Sequence, residues 1–392
     1  MNHDYDTDQE RNAPNSRRNV LQTIAGIGLG IGTGGTAAKL LAGNAEATSP
    51  TSPAAPSGLL RETSIARQAD KVGVRFGAAA VARTISDSQF AALILNQCDV
   101  TLPANGLKWG LTNPSGPQAD YSTVDPFIDW AHSHGLRQRG HTLIWDKPKN
   151  VPSWVLEDGP DASRLAARIR QRCSDACTRY RGRIQSWDVV NEAINPNHGT
   201  PFGGPLYKAL GWEFADHAFQ AAHEADPEAQ LVYNDHPLPG GDKHQAGILR
   251  LLEGMLKRGV QVHAFGIQGH LWIPTKRSDD AGWRNFLAEV ADLGLEILIT
   301  ELDVVDNGPQ DNPGRRDRAA GDHLQHFMEI TLDQPAVREV VCRSLSDKYE
   351  GLSYAIPRED KIKRRPSPFN AKMEAKPIAR ALSNAFGSAR SR

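Results

Sequence analysis

Two stretches decide the fold: Trp187-Asp188-Val189-Val190-Asn191-Glu192 and Ile297-Leu298-Ile299-Thr300-Glu301-Leu302-Asp303. Each is an apolar, β-prone run that ends in a carboxylate. In a parallel barrel or sheet, chemistry is presented at the C-terminal ends of the strands. Two glutamates at such ends, on separate strands, supply what is needed to cut a glycosidic bond.

Working outward, short β-prone runs alternate with helical stretches from Ala66 onward. The strands are predicted at Val74–Ala79, Cys98–Thr101, Gln138–Ile144, Ser186–Asn191, Leu231–Asn234, Ala264–Gln268, Glu296–Thr300 and Glu339–Cys342. Helical stretches lie between them, among them Thr123–His134, Ala162–Tyr180, Trp212–Ala225, Lys243–Lys257, Gly282–Leu293 and Arg316–Leu332. Eight strands alternating with helices in one domain predict an α/β fold, a single (β/α)8 TIM barrel. The rival is a doubly wound open sheet. No Gly-rich phosphate loop follows the first strand, which counts against it.

The chain has 392 residues, enough for one large domain, and its net charge is −1. No basic field argues for nucleic acid or an anionic membrane. The run Lys361-Ile362-Lys363-Arg364-Arg365 reads as a solvated loop. Four cysteines, Cys98, Cys173, Cys177 and Cys342, show no metal-ligand spacing. Cys173 and Cys177 share one helix face, as two buried thiols or, after export, as a bridge.

Residues 1–65 do not read as a folded domain. The pair Arg17-Arg18 precedes a Gly-rich apolar stretch, and Ala45-Glu46-Ala47 supplies a small-residue cleavage pattern. That order is expected of a twin-arginine signal peptide over residues 1–47, with an uncleaved anchor as the alternative. Residues 48–65 have linker composition. The catalytic domain is expected over residues 66–388, and the destination is the periplasm or the exterior.

The predicted strand ends place Lys108, Trp109, His141, Trp145, Asn191, Glu192, Asn234, Asp235, Gln268, His270, Glu301 and Asp303 around one mouth. Aromatic faces stack on sugar rings, while amides and acids bind hydroxyls. Glu301, with Asp303 and His270 as polar neighbours, is expected to stay ionised as the nucleophile. Glu192 is expected to be the acid/base, its protonated form favoured by the negative partner. Asn191 is placed to hold the sugar 2-hydroxyl.

From Phe76 to Phe386 the chain resembles glycoside hydrolase family 10, the retaining endo-β-1,4-xylanases. The likeness runs in order through Phe76-Gly77-Ala78-Ala79, Val100 to Trp109, Gly140-His141-Thr142-Leu143-Ile144-Trp145, Trp187 to Glu192 and Tyr233-Asn234-Asp235. It continues through Gly266-Ile267-Gln268-Gly269-His270-Leu271 and Ile299 to Asp303, and ends at Ser346-Asp347-Lys348-Tyr349. The resemblance implies Glu192 as acid/base and Glu301 as nucleophile. It implies that Asn191, His141, Trp145, Gln268 and His270 line the cleavage subsite, and that Asn105 and Lys108 hold the next sugar. It further implies a polysaccharide or oligosaccharide substrate, no cofactor and no metal. Monomer is the default assembly.

The departures are specific. Ala104 stands where the family usually has Glu, and Asp146 where it has His. The following loop, Lys147-Pro148-Lys149-Asn150-Val151, is about two residues longer. Arg343 and Gly351 occupy the places of two tryptophans. Their loss opens the site and removes stacking of about 1 kcal/mol each. Arg343 is read either as a contact for an acidic sugar or as a structural partner of a carboxylate such as Glu350. Two functions follow: a glycanase acting on xylan or a decorated, acidic β-1,4-glycan, or a glycan-binding barrel with weak turnover.

Overall fold

The computed structural model describes residues 63–157, 159–273, 279–307 and 312–392. The expected signal peptide and nearly all of the expected linker lie outside the described residues. Nine parallel strands run β1 Arg75–Ala79, β2 Val100–Leu102, β3 Arg137–Ile144, β4 Ser186–Asn191, β5 Gln230–Asp235, β6 Ala264–Ile267, β7 His270–Ile273, β8 Glu296–Asp306 and β9 Val337–Cys342. They hydrogen-bond in the order β6-β5-β4-β3-β2-β1-β9-β8-β7, and a β6–β8 pairing closes the ring. The result is the eight-stranded parallel barrel with surrounding helices expected from the sequence, which rules out the open sheet.

β7 is an addition. It continues β6 beyond Gln268-Gly269 and pairs with the far half of β8, His270 opposite Asp303. Gly269 makes the step at φ +76, and its bare Cα faces the Ile299 side chain, where a Cβ would stand 3.0 Å from a methyl. β8 therefore does not stop before Glu301 as the pattern suggested. It runs on to Asp306, and Glu301 sits in mid-strand.

Period-two alternation divides each strand between the helical shell and the barrel axis. On β4, Trp187 packs outward against Tyr180, ring centroids 6.4 Å apart, on the helix Ala162–Arg179. That helix buries Leu165, Ile169, Cys173, Ala176 and Cys177 on one stripe and is capped by Asp161, which accepts from the Arg164 N–H. Cys173 and Cys177 are free, buried thiols, as are Cys98 and Cys342.

The barrel axis holds charge. Arg139 of β3, 1% exposed, donates to Glu339 Oε1 at 3.0 Å and Ser186 Oγ at 3.0 Å, and forms a close ion pair with Asp188. Val232, Ala264 and Leu298 form one small apolar cluster, and Ala79, Val100, Leu102 and Val341 another. Burial works against the Arg139 charge, but Asp188 and Glu339 outweigh it and raise its pKa.

The folded body begins slightly before residue 66. Ser64 caps the helix Ile65–Asp70, and Ile65 is buried, its N–H donating to Gln97 Oε1 at 3.1 Å. It also continues past 388. The Arg392 guanidinium donates to the carbonyls of Leu332 at 2.7 Å and Val337 at 2.8 Å, and its N–H donates to Val72. Both ends thus lie under the N-terminal ends of β1 and β9. Among the described residues, no helix is long and apolar enough to cross a membrane.

Arg139→Met strands two buried carboxylates. Urea unfolding is expected to show a loss of about 3–5 kcal/mol.

Candidate active site

Glu192 follows β4 directly. Its N–H donates to the Asn234 carbonyl at 2.9 Å, and its backbone is left-handed at φ +52, an unfavourable conformation for a side chain with a Cβ. That turn sets the carboxylate into a cleft of about 790 Å³ lined also by Asn105, Lys108, His141, Trp145, Asn191, Gln268, His270, Glu301 and Arg343. Of the residues expected around the mouth, all but Trp109, Asn234, Asp235 and Asp303 border this cleft.

Asn234 is fully buried beneath the cleft floor. Its Nδ2 donates to Asn191 Oδ1 at 2.9 Å and to Glu301 Oε1 at 3.3 Å, and its Oδ1 accepts from Thr300 Oγ1 at 2.7 Å. Instead of contacting substrate as expected, it fixes the residues that border the cleft. With its Oδ1 engaged, Asn191 turns an unpartnered Nδ2 away from Asn234. Asp303, also buried, accepts from His270 Nδ1 at 2.9 Å. Trp109 is likewise no cleft residue. It is buried in the core, edge-on to Trp154 at 6.2 Å.

Two Asp–His pairs converge on Glu301. His141 Nδ1 meets Asp188 Oδ2 at 2.9 Å, and its Nε2 stands 4.0 Å from Glu301 Oε1. His270, held by Asp303, places Nε2 at 3.8 Å from Glu301 Oε2. Each aspartate anchors one ring nitrogen, so the other is aimed at the glutamate. With the Asn234 amide, three polar groups surround the Glu301 carboxylate.

Glu192 departs from expectation. Lys147 Nζ lies 2.5 Å from its Oε2, and Gln268 Nε2 donates to its Oε1 at 2.8 Å. Burial alone would raise the carboxyl pKa. The Lys147 ammonium, His236 and the Gln268 amide outweigh it and hold the pKa well below the usual carboxylate range. That direction favours the anion, opposite to the protonated form expected from the sequence. Sequence reading placed Lys147 only in a lengthened loop. A loop lysine has no periodicity, and its partner is 45 positions away.

His236 and Asp235 form a second layer behind Glu192. Asp235 accepts from the Tyr233 hydroxyl and from the His236 N–H, and its Oδ1 lies 3.0 Å from His236 Nδ1 and 3.1 Å from His244 Nε2. Burial lowers the His236 pKa, but Asp235 and the Glu192 charge raise it overall. One ligand atom from each of Asp235, His236 and His244 falls within 4.8 Å of the others, the single group among the described residues with the spacing to hold a metal ion. The carboxylate already has its hydroxyl and amide donors, and the trio acts as the charge support of His236.

At the other end of the cleft, Arg343 is half-buried and makes no ion pair among the described residues. Glu350, the suggested partner, instead accepts from the Ser353 N–H at 2.8 Å. A Cβ on Gly351 would meet nothing within 4 Å, so the rim is open where a tryptophan was missing. Lys108 Nζ sits 4.5 Å over the Trp145 ring.

The sequence profile described as "Glycosyl hydrolase family 10" matches residues 64–385. The chain belongs to glycosyl hydrolase family 10. It is 30% identical over 322 residues to endo-1,4-beta-xylanase 5 of Pyricularia oryzae, covering 80% of this chain and 76% of that one. It is 34% identical over 207 residues to a beta-1,4-xylanase of Dictyoglomus thermophilum, covering 52% of this chain and 56% of that one. The family 10 xylanase of Thermobacillus composti superposes with a TM-score of 0.70 at 29% identity, over 82% of this chain and 99% of the other. The family fold thus accounts for the barrel.

Asn234→Asp keeps the Thr300 bond but sets a carboxylate beside Glu301. In that variant kcat on an aryl β-xyloside is expected to fall by at least about tenfold.

Proposed function

We propose that this family 10 member is a retaining endo-β-1,4-glycanase that hydrolyses xylan or a related β-1,4-glycan carrying acidic substituents. The observation that supports this most is the pair Glu192 and Glu301 bordering one cleft, with two anchored imidazoles and an amide around Glu301. Glu301 attacks the anomeric carbon while Glu192 delivers a proton to the leaving oxygen, and the glycosidic bond breaks. Glu192 then takes a proton from water, the water oxygen attacks the anomeric carbon, and Glu301 is released. The orphan Asn191 Nδ2 is suited to the 2-hydroxyl, and Trp145 to a sugar face. A barrel that only binds glycan has no use for two Asp–His pairs trained on one carboxylate.

The acidic preference is carried by Arg343. An unpaired guanidinium on an open cleft rim offers a planar donor fork to a uronate or a ketal carboxylate. Export by the twin-arginine route belongs to the same reading and is supported by the order of Arg17-Arg18, the apolar stretch and Ala45-Glu46-Ala47.

Glu301→Ala is expected to lower xylan hydrolysis by at least about 10⁴-fold while leaving far-UV circular dichroism and the melting temperature unchanged. Activity retained in that variant would refute the assignment. Arg343→Ala is expected to cost about tenfold in kcat/KM on glucuronoxylan, the worth of one charge-assisted contact, and less than about twofold on unsubstituted xylan. Equal losses on both substrates would remove the acidic preference.

A further inference from the structure

Lys147 follows β3 closely and is enclosed. Its side chain is 10% exposed and that of Glu192 7%. The ammonium faces the Phe202 ring at 4.7 Å and the Trp145 ring at 5.5 Å, and Glu192 Oε2 is its only hydrogen-bond acceptor among the described residues. An acid/base must present a proton to the leaving oxygen, yet here the carboxylate carries none and its nearest proton sits on nitrogen.

We propose that Lys147 is the proton store of Glu192: its ammonium keeps the carboxylate ionised between turnovers and supplies, through Glu192, the proton that the leaving oxygen takes. This rests on the reading of Glu192 as acid/base. In the first step the proton moves from Lys147 Nζ to Glu192 Oε2 and on to the glycosidic oxygen as the C1–O bond breaks and Glu301 bonds to C1. The amine is left neutral and Glu192 remains a carboxylate. In the second step the attacking water gives its proton to Glu192, which returns it to Lys147 as the C1–Glu301 bond breaks. Protons balance over the cycle, and no other reactant is needed.

The surroundings make the transfer accessible. A buried ion pair is penalised by desolvation, and the neutral amine–acid pair is not. A sugar seated over the cleft excludes water and narrows the gap between the two forms. Gln268 donates to Oε1, which leaves Oε2 as the oxygen that can carry the proton. Lys147 acts through Glu192 and is a positioning residue.

Among the described residues, several charged groups lie near the pair; Lys108 places its Nζ 4.5 Å over the Trp145 ring that Lys147 also faces. His141 ends β3 and is tied to Asp188. Asp146, beside Lys147, accepts from the Leu206 and Tyr207 N–H groups. His236 and Asp235 follow from β5, His270 from β7 and Glu301 from β8. Among the described residues only Lys147 forms an ion pair with the Glu192 carboxylate. His236 also bears on it, and Lys147 in turn lowers the His236 pKa, so a limb set by His236 would move up in Lys147→Met, opposite to the shift expected of Glu192.

The test is the pH dependence of kcat/KM on xylohexaose, which reports the free enzyme. In the wild type the alkaline limb is loss of the pair's shared proton. In Lys147→Met the limb becomes that of Glu192 alone and is expected at least about 2 pH units lower. Lys147→Arg keeps the charge but does not release a proton, and kcat is expected to fall by about 100-fold or more. A limb that stays in place in Lys147→Met, or full activity in Lys147→Arg, overturns the proposal. A measurement on the wild type covers the case of variants that do not fold. The carbon-13 carboxyl signal lost in Glu192→Gln is expected to stay ionised from pH 8 down to about pH 4; titration between pH 5 and 7 overturns the proposal. If the wild type hydrolyses none of these glycans, the parent reading fails, and the same titration still decides whether the pair exists.

Discussion

The structure depends on one buried guanidinium. Arg139 stands on the barrel axis and ties β3 to β4 through Asp188 and to β9 through Glu339. Asp188 uses its other oxygen on His141, and His141 reaches toward Glu301. A single line of charge therefore leads from the closed floor of the barrel to the reacting end. Removing charge from the axis would not merely loosen packing. It would free the imidazole that faces Glu301, which couples the stability of the fold to the geometry of the cleft.

Around the cleft, the two glutamates are treated oppositely. Glu301 is surrounded by neutral or conditional donors: an amide and two imidazoles held by aspartates. Glu192 is met by a permanent cation and backed by a histidine that Asp235 supports. Sequence patterns that mark both as strand-end carboxylates do not separate these environments. The difference comes from what the loops after β3 and β5 deliver.

The sequence was legible where periodicity speaks. Expected strands such as Ser186–Asn191 coincide with those found, because alternation between shell and axis is imposed by the pleat. β7 was not legible: Gly269 turns the chain between Gln268 and His270 with no other break in the β-prone run, and only pairing with β8 reveals a separate strand. Asn234 ends its strand like the cleft residues around it, and its burial follows from Thr300 and Asn191 closing over it in three dimensions. Lys147 and the unpaired state of Arg343 depend on side chains far apart in sequence. Position along the chain suggested Glu350 as the partner of Arg343, while the fold spends that carboxylate on Ser353.

Arg392 and the Val72 carbonyl meet beneath the barrel, at the end opposite the cleft. The chain enters and leaves the folded body on that underside. A spectroscopic label set beside that contact would sit on the face opposite the cleft, where it would sense loosening of the barrel floor and stay out of the path of a bound polymer.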